Sequence, residues 1–158
     1  MSRHPVHGHS TPRLALRRNY CFGCGRDNPD GMRLKFHYEP ARRRFVARFR
    51  LTRRYTGPPG HAHGGIVATL LDEAMGKVNK LHGVVALTRS MEVEYLRPVP
   101  LHQPLTVESH SVRVRGRRHL YAASILDAKG KGEVLARGRG TFIAVDPARL
   151  QRMFGPFL

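Results

Sequence analysis

His63-Gly64-Gly65-Ile66-Val67-Ala68-Thr69-Leu70-Leu71-Asp72-Glu73-Ala74-Met75-Gly76 decides the fold, because an apolar helical spacing, a glycine pair and an acid coincide in it. Ile66, Val67, Leu70, Leu71, Ala74, Met75 and Val78 recur at steps of one, three and four, which gathers their side chains on one broad face of an α-helix. That face needs a cover. Upstream, Gly57-Pro58-Pro59-Gly60 can continue neither a helix nor a sheet ladder, so the helix is expected to begin near Gly64.

The opening turn of a helix leaves backbone N–H groups unpaired, and glycine lets another group come close to them. With the positive end of the helix dipole, the donors at Gly64 and Gly65 suit an oxyanion forming on a carbonyl, a contact worth about 3–4 kcal/mol. The same pair would equally serve as a tight start to a packed helix. Asp72 falls two turns further along, off the apolar stripe, where an acid costs desolvation energy unless it is solvated, paired or given a task.

The cover comes from strands on either side. Met32–Tyr38 and Phe45–Leu51 alternate apolar and polar residues around Glu39-Pro40-Ala41 and read as an antiparallel hairpin. After the helix, Val84–Val99, Leu105–Val114, His119–Leu126 and Val134–Val145 read as four more strands. The proline-punctuated run 98–104, Gly116-Arg117-Arg118 and Asp127-Ala128-Lys129-Gly130-Lys131-Gly132 separate them. The order is β-β-α-β-β-β-β, and pairing one apolar helix with a one-sided meander gives an α+β domain: a curved antiparallel sheet wrapped around the helix.

At 158 residues, 41% of them hydrophobic, the chain is long enough for one domain with a core. Residues 1–19 read as a flexible basic leader, 20–147 as the domain and 148–158 as a C-terminal tail. No stretch approaches a membrane span, and the leader has no secretory apolar core, so a cytoplasmic protein is expected. The leader's Arg-rich, acid-free composition overlaps with that of organelle transit peptides. The formal charge of +17 implies an affinity for anions. No recognition helix or RNA-binding signature accompanies the charge, so a nucleic-acid partner is not expected.

Cys21 and Cys24 have the spacing of half a zinc ribbon or of a redox pair, but a closed zinc site needs four ligands and no second CxxC exists. His4, His7 and His9 alternate on the leader without fixed geometry. No metal and no cofactor is assigned. With no secretion signal, the cysteines are expected to be reduced.

His63-Gly64-Gly65, with Asp72 nine residues on and Thr88 sixteen beyond, preceded by Tyr55-Thr56-Gly57-Pro58-Pro59-Gly60, resembles the central helix of hotdog-fold acyl-CoA thioesterases. The likeness is to the PaaI-like and thioesterase-superfamily-member-4-like branches. Cys21-Phe22-Gly23-Cys24-Gly25 with Asn28-Pro29 and Gly31, and Glu94-Tyr95-Leu96-Arg97-Pro98-Val99-Pro100, extend it over about Cys21 to Val145.

The resemblance implies a hotdog fold, an acyl-CoA substrate and a homo-oligomer, either a dimer or a dimer of dimers, with the pocket between subunits. It implies Asp72 as general base or nucleophile, the Gly65 N–H as the group polarising the carbonyl beside Gly64, and Thr88 as the group positioning the water or the acid. His63 would orient the thioester or fix the loop, and Glu73, turned about 100° from Asp72, would be structural or solvated. Part of the wider family has Asn or Gln six residues before His63, where Gly57 stands here. Arg113, Arg115, Arg117 and Arg118 concentrate charge at one turn, and the last three are candidates for holding the nucleotide part of coenzyme A or for a merely exposed basic hairpin. The competing function is a non-catalytic hotdog module that binds acyl-CoA; a dehydratase lacks its helix histidine here.

Overall fold

The computed structural model describes residues 18–129 and 132–155, so most of the expected leader, with His4, His7 and His9, lies outside the described residues. The elements are β1 (His37–Glu39), β2 (Arg44–Phe49), α1 (Gly64–Lys77), β3 (Ala86–Tyr95), β4 (Leu105–Arg115), β5 (Arg118–Asp127), β6 (Val134–Ala144) and α2 (Pro147–Phe154). All strand pairs are antiparallel, and the sheet runs β1-β2-β4-β5-β6-β3. The expected order of strands and helix is the observed one.

Helix α1 lies on the sheet with Leu70, Leu71, Ala74 and Met75 fully buried against Val107, Tyr121, Ile125 and Ala136. Two glycines of β6 allow the close approach: a Cβ at Gly138 would meet Leu71 at 3.3 Å, and one at Gly140 would meet Phe142 at 2.8 Å and Met75 at 3.1 Å. Buried Ser109 Oγ donates to Ala74 O at 2.6 Å, fixing the helix along its axis.

The first strand differs from expectation. Only His37–Glu39 pair with β2, because Arg33 adopts a left-handed φ of 51° and the stretch before it bonds elsewhere. Met32 N donates to Phe22 O at 2.7 Å and Leu34 N to Gly23 O at 2.9 Å, so this segment pairs with the cysteine turn. The third strand is also shorter than Val84–Val99. Beyond Tyr95 the chain bends to cover the loop before the helix, where Ala62 N donates to Val99 O at 2.8 Å. The tail contains α2, whose start is marked in the sequence by Asp146 as cap and Pro147 in the first turn.

A polar cluster closes the far end of the helix. Tyr121 O–H donates to Asn79 Oδ1 at 2.9 Å, His119 Nδ1 lies 2.7 Å from the same hydroxyl, and the His82 ring meets His119 edge-on at 5.2 Å. Burial depresses the pKa of both imidazoles below the ordinary histidine value of 6.5, and proximity to His82 depresses that of His119 further. The folded state thus binds these protons less readily than the unfolded chain. Their contribution to stability is complete above about pH 6.5 and falls as the unfolded histidines charge below it. Melting temperature measured from about pH 8 to pH 5 should be level at first and then drop, more steeply than in His119→Phe; equal slopes would clear the pair of this role.

Candidate active site

Helix α1 sorts its polar residues onto two flanks, because Leu71, Ala74, Met75 and Val78 occupy the face against the sheet. Gly65 and Asp72 share the flank facing β3; Glu73 and Lys77 share the opposite one. On the first flank, Thr88 Oγ1 donates to Asp72 Oδ1 at 2.7 Å. The β3–β6 register slips between Thr88 and Ser90, and such a bulge re-aims a side chain locally. The resemblance implies that Thr88 positions the water or the acid; here its hydroxyl bonds the acid, on an edge strand of the sheet.

The helix start is built by its flanks. His63 N donates to Tyr55 O at 2.9 Å, and the His63 ring caps the helix, its Nδ1 accepting from Gly65 N–H at 3.0 Å. Tyr95 O–H donates to Gly64 O at 3.1 Å, and Thr69 Oγ1 to Gly65 O at 2.9 Å. A groove of about 340 Å³ runs past this turn, lined by Pro58, Ala62, Gly64, Val67, Tyr95 and Pro98 among others. Gly57 is pressed on the His63 backbone; a Cβ there would lie 2.6 Å from His63 Cα, so this loop path excludes an Asn or Gln at that position.

Gly65 and Asp72 do not meet within one chain. Seven residues at about 1.5 Å each separate them along the axis, roughly 10 Å. The arginines stand apart from both. Arg115 and Arg118 pair across the β4–β5 turn, and Arg118 aligns through Ile143 with Leu87, one residue from Thr88 but on the far side of β6. Arg117 Nε is occupied by Ala144 O at 3.0 Å.

Glu73 is structural. Burial raises its pKa, but Lys77 at 2.6 Å and the Cys24 and Cys21 thiols outweigh this and hold the carboxyl below the ordinary range. An ionised, ion-paired carboxylate on the flank away from Thr88 is poorly suited to be the base. Sequence reasoning gave Tyr95 no role, although it stands in the stretch Glu94–Pro100; its contact with Gly64 depends on β3 running antiparallel to α1.

A single helix wrapped by a six-stranded antiparallel sheet, with an acid–hydroxyl pair on one flank and a glycine turn at its start, is the hotdog fold. A family model described as thioesterase superfamily matches residues 59–134. A thioesterase superfamily protein of known crystal structure superposes with a TM-score of 0.71 at 30% identity, covering 85% of this chain and 70% of that one. The chain belongs to the thioesterase superfamily.

Acyl-coenzyme A thioesterase THEM4 of Rattus norvegicus is 27% identical over 117 residues, 74% of this chain and 50% of the relative. The chain spans about half the length of the curated relatives it matches. A protein from Bacillus halodurans, solved with CoA, is 25% identical with a TM-score of 0.63, covering 73% of this chain and 76% of its own. Among the described residues no helix is long and apolar enough to cross a membrane.

The cap separates two roles for His63. His63→Ala should cost about 0.5–2 kcal/mol in stability and lower the melting temperature, whereas His63→Asn, which keeps an acceptor at the cap, should hold it near the unaltered value. Equal losses in both variants would show that the ring, not its acceptor nitrogen, fixes the turn.

Proposed function

We propose that the protein is an acyl-CoA thioesterase that hydrolyses its substrate in a site completed by a second copy of the chain. The hydrogen bond from Thr88 to Asp72 carries this reading: it fixes one carboxylate oxygen and, among the described residues, leaves the other free beside an edge strand of the sheet. Relatives named acyl-coenzyme A thioesterases and a similar structure solved with CoA support the substrate class.

Distance supports the second copy. Asp72 and Gly65 are too far apart in one chain to act on one carbonyl. Thr88 and Tyr95 mark opposite ends of β3, and Tyr95 touches Gly64. A two-fold pairing of two β3 edges would bring the Asp72–Thr88 end of one protomer toward the glycine turn of its partner, while covering unpaired strand edges.

In the proposed reaction, the free oxygen of Asp72 either takes a proton from the attacking water or attacks the carbonyl carbon itself. The carbonyl oxygen gains negative charge at the helix start of the partner, where the Gly65 N–H and the helix dipole favour it. The His63 ring holds that N–H in the free protein, so substrate must share or displace it. The thiolate of coenzyme A then leaves, which gives the free acid directly when water attacks and, when Asp72 attacks, an anhydride on Asp72 that water cleaves to the free acid. Gly64 gives the acyl carbonyl room, and the exposed Arg115, Arg117 and Arg118 are proposed to meet the nucleotide phosphates.

Thiol release from short, medium, long and aromatic acyl-CoAs should fall about 100- to 10,000-fold in Asp72→Asn and Asp72→Ala with the oligomer intact. Near-normal release in either variant would remove Asp72 from the mechanism. Bound acyl-CoA without release in the unaltered protein would make this a binding module instead. Arg115→Glu combined with Arg118→Glu should raise KM for acyl-CoA with kcat unchanged and leave a short non-nucleotide thioester unaffected; equal effects on both substrates would sink the phosphate role.

A further inference from the structure

The second flank of α1 carries a cluster that acyl transfer does not use. Gly25 N donates to Cys21 O at 2.8 Å, closing a tight turn that puts both cysteines on one side. The two Sγ atoms and a Glu73 carboxylate oxygen all lie within 4.8 Å of one another. Cys21 Sγ donates to Glu73 Oε2 at 3.4 Å, and Lys77 Nζ lies 2.6 Å from Glu73 Oε1 and 2.8 Å from Cys24 Sγ. Gly23, between the cysteines, is seated on the carboxylate: a Cβ there would come within 2.6 Å of Oε2.

Two chemistries use two thiols and a carboxylate at such spacing, a soft divalent metal or a dithiol–disulfide couple. Lys77 decides between them. Its ammonium already supplies positive charge to Glu73 and Cys24, and its side chain is only 16% exposed. A metal would have to expel that cation or sit beside it. A disulfide needs no added charge; it consumes both thiols and leaves the Glu73–Lys77 pair intact. Cys21 is exposed and Cys24 half-buried, so solvent oxidant reaches Cys21 first.

We propose that Cys21 and Cys24 are a reversible oxidative modification site, closing to a disulfide when Cys21 meets a peroxide. The Cys21 sulfur takes one oxygen of hydrogen peroxide as the O–O bond breaks; one water leaves and a sulfenic acid remains. The Cys24 sulfur then attacks the Cys21 sulfur: the S–S bond forms, the S–O bond breaks, and the departing hydroxide takes the Cys24 proton to leave as a second water. Two thiols and one peroxide thus give one disulfide and two waters. Closure withdraws Cys21 from Glu73 and Cys24 from Lys77, so the turn loses two polar ties to the helix that carries Asp72.

The test treats the full chain, reduced, with hydrogen peroxide, blocks remaining thiols with a maleimide and measures intact mass and cysteine peptides without reductant. The expected product is lighter by two hydrogens, has lost both alkylatable thiols to a Cys21–Cys24 link, and recovers them in dithiothreitol. Cys24→Ser should stop at a Cys21 sulfenic acid that dimedone traps, and Cys21→Ser should keep its Cys24 thiol at the same dose; circular dichroism checks that both variants fold. Accumulation of sulfenic or sulfinic acid without the link, or a link between chains, overturns the proposal. So does stoichiometric zinc uptake by the reduced protein that shields both thiols from the maleimide, since that makes the cluster a metal site.

Discussion

The fit of α1 onto β6 is the constraint on which the rest of the structure depends. Leu71 and Met75 can enter the sheet only because Gly138 and Gly140 present no side chains beneath them. Close packing of this kind fixes rotation as well as distance: once residues 71, 74, 75 and 78 point inward, position 72 must face one sheet edge and 73 the other side. A bulkier residue at 138 or 140 would lift or roll the helix. The Thr88–Asp72 contact, which spans two elements, would be among the first losses.

Helix α1 was legible because its signal is local. The spacing of Ile66 to Val78 and the breakers at Gly57–Gly60 sufficed to set its start, and the observed helix begins at Gly64. The four later strands were legible for the same reason, their period-two patterns being bounded by turn residues. The first hairpin was not. Alternation from Met32 to Tyr38 satisfies a strand pattern, but which backbone those residues bond to is decided by the Cys21–Gly25 turn and by the left-handed conformation at Arg33, and neither leaves a periodic trace.

The candidate site divides along the same line. Asp72 stands out locally as an acid off the apolar stripe, whereas its role and that of Thr88 come from the resemblance, and their contact requires the long-range pairing of β3 with β6 that the sequence does not spell out. His63 shows why a motif alone leaves a role open: its ring accepts the Gly65 N–H, so a donor of the motif is held by a residue of the same motif. The buried His119–Tyr121–Asn79 chain had no local signature at all, because its members come from β5 and the turn after α1.

Asp72 and Glu73 show how neighbouring acids acquire different chemistry. Both are carboxylates on one helix, one residue apart, and composition cannot rank them. Glu73 meets an ammonium at 2.6 Å in a half-buried cluster that also satisfies it through two thiols, so its charge is stabilised and its proton affinity lowered. A base so satisfied is a weak one. Among the described residues Asp72 meets only a neutral hydroxyl, beside an edge strand, and keeps an oxygen that none of them claims. The difference comes from the 100° step of the helix. That step sends one acid toward the cation on its own helix and the other toward the edge strand and the Thr88 hydroxyl.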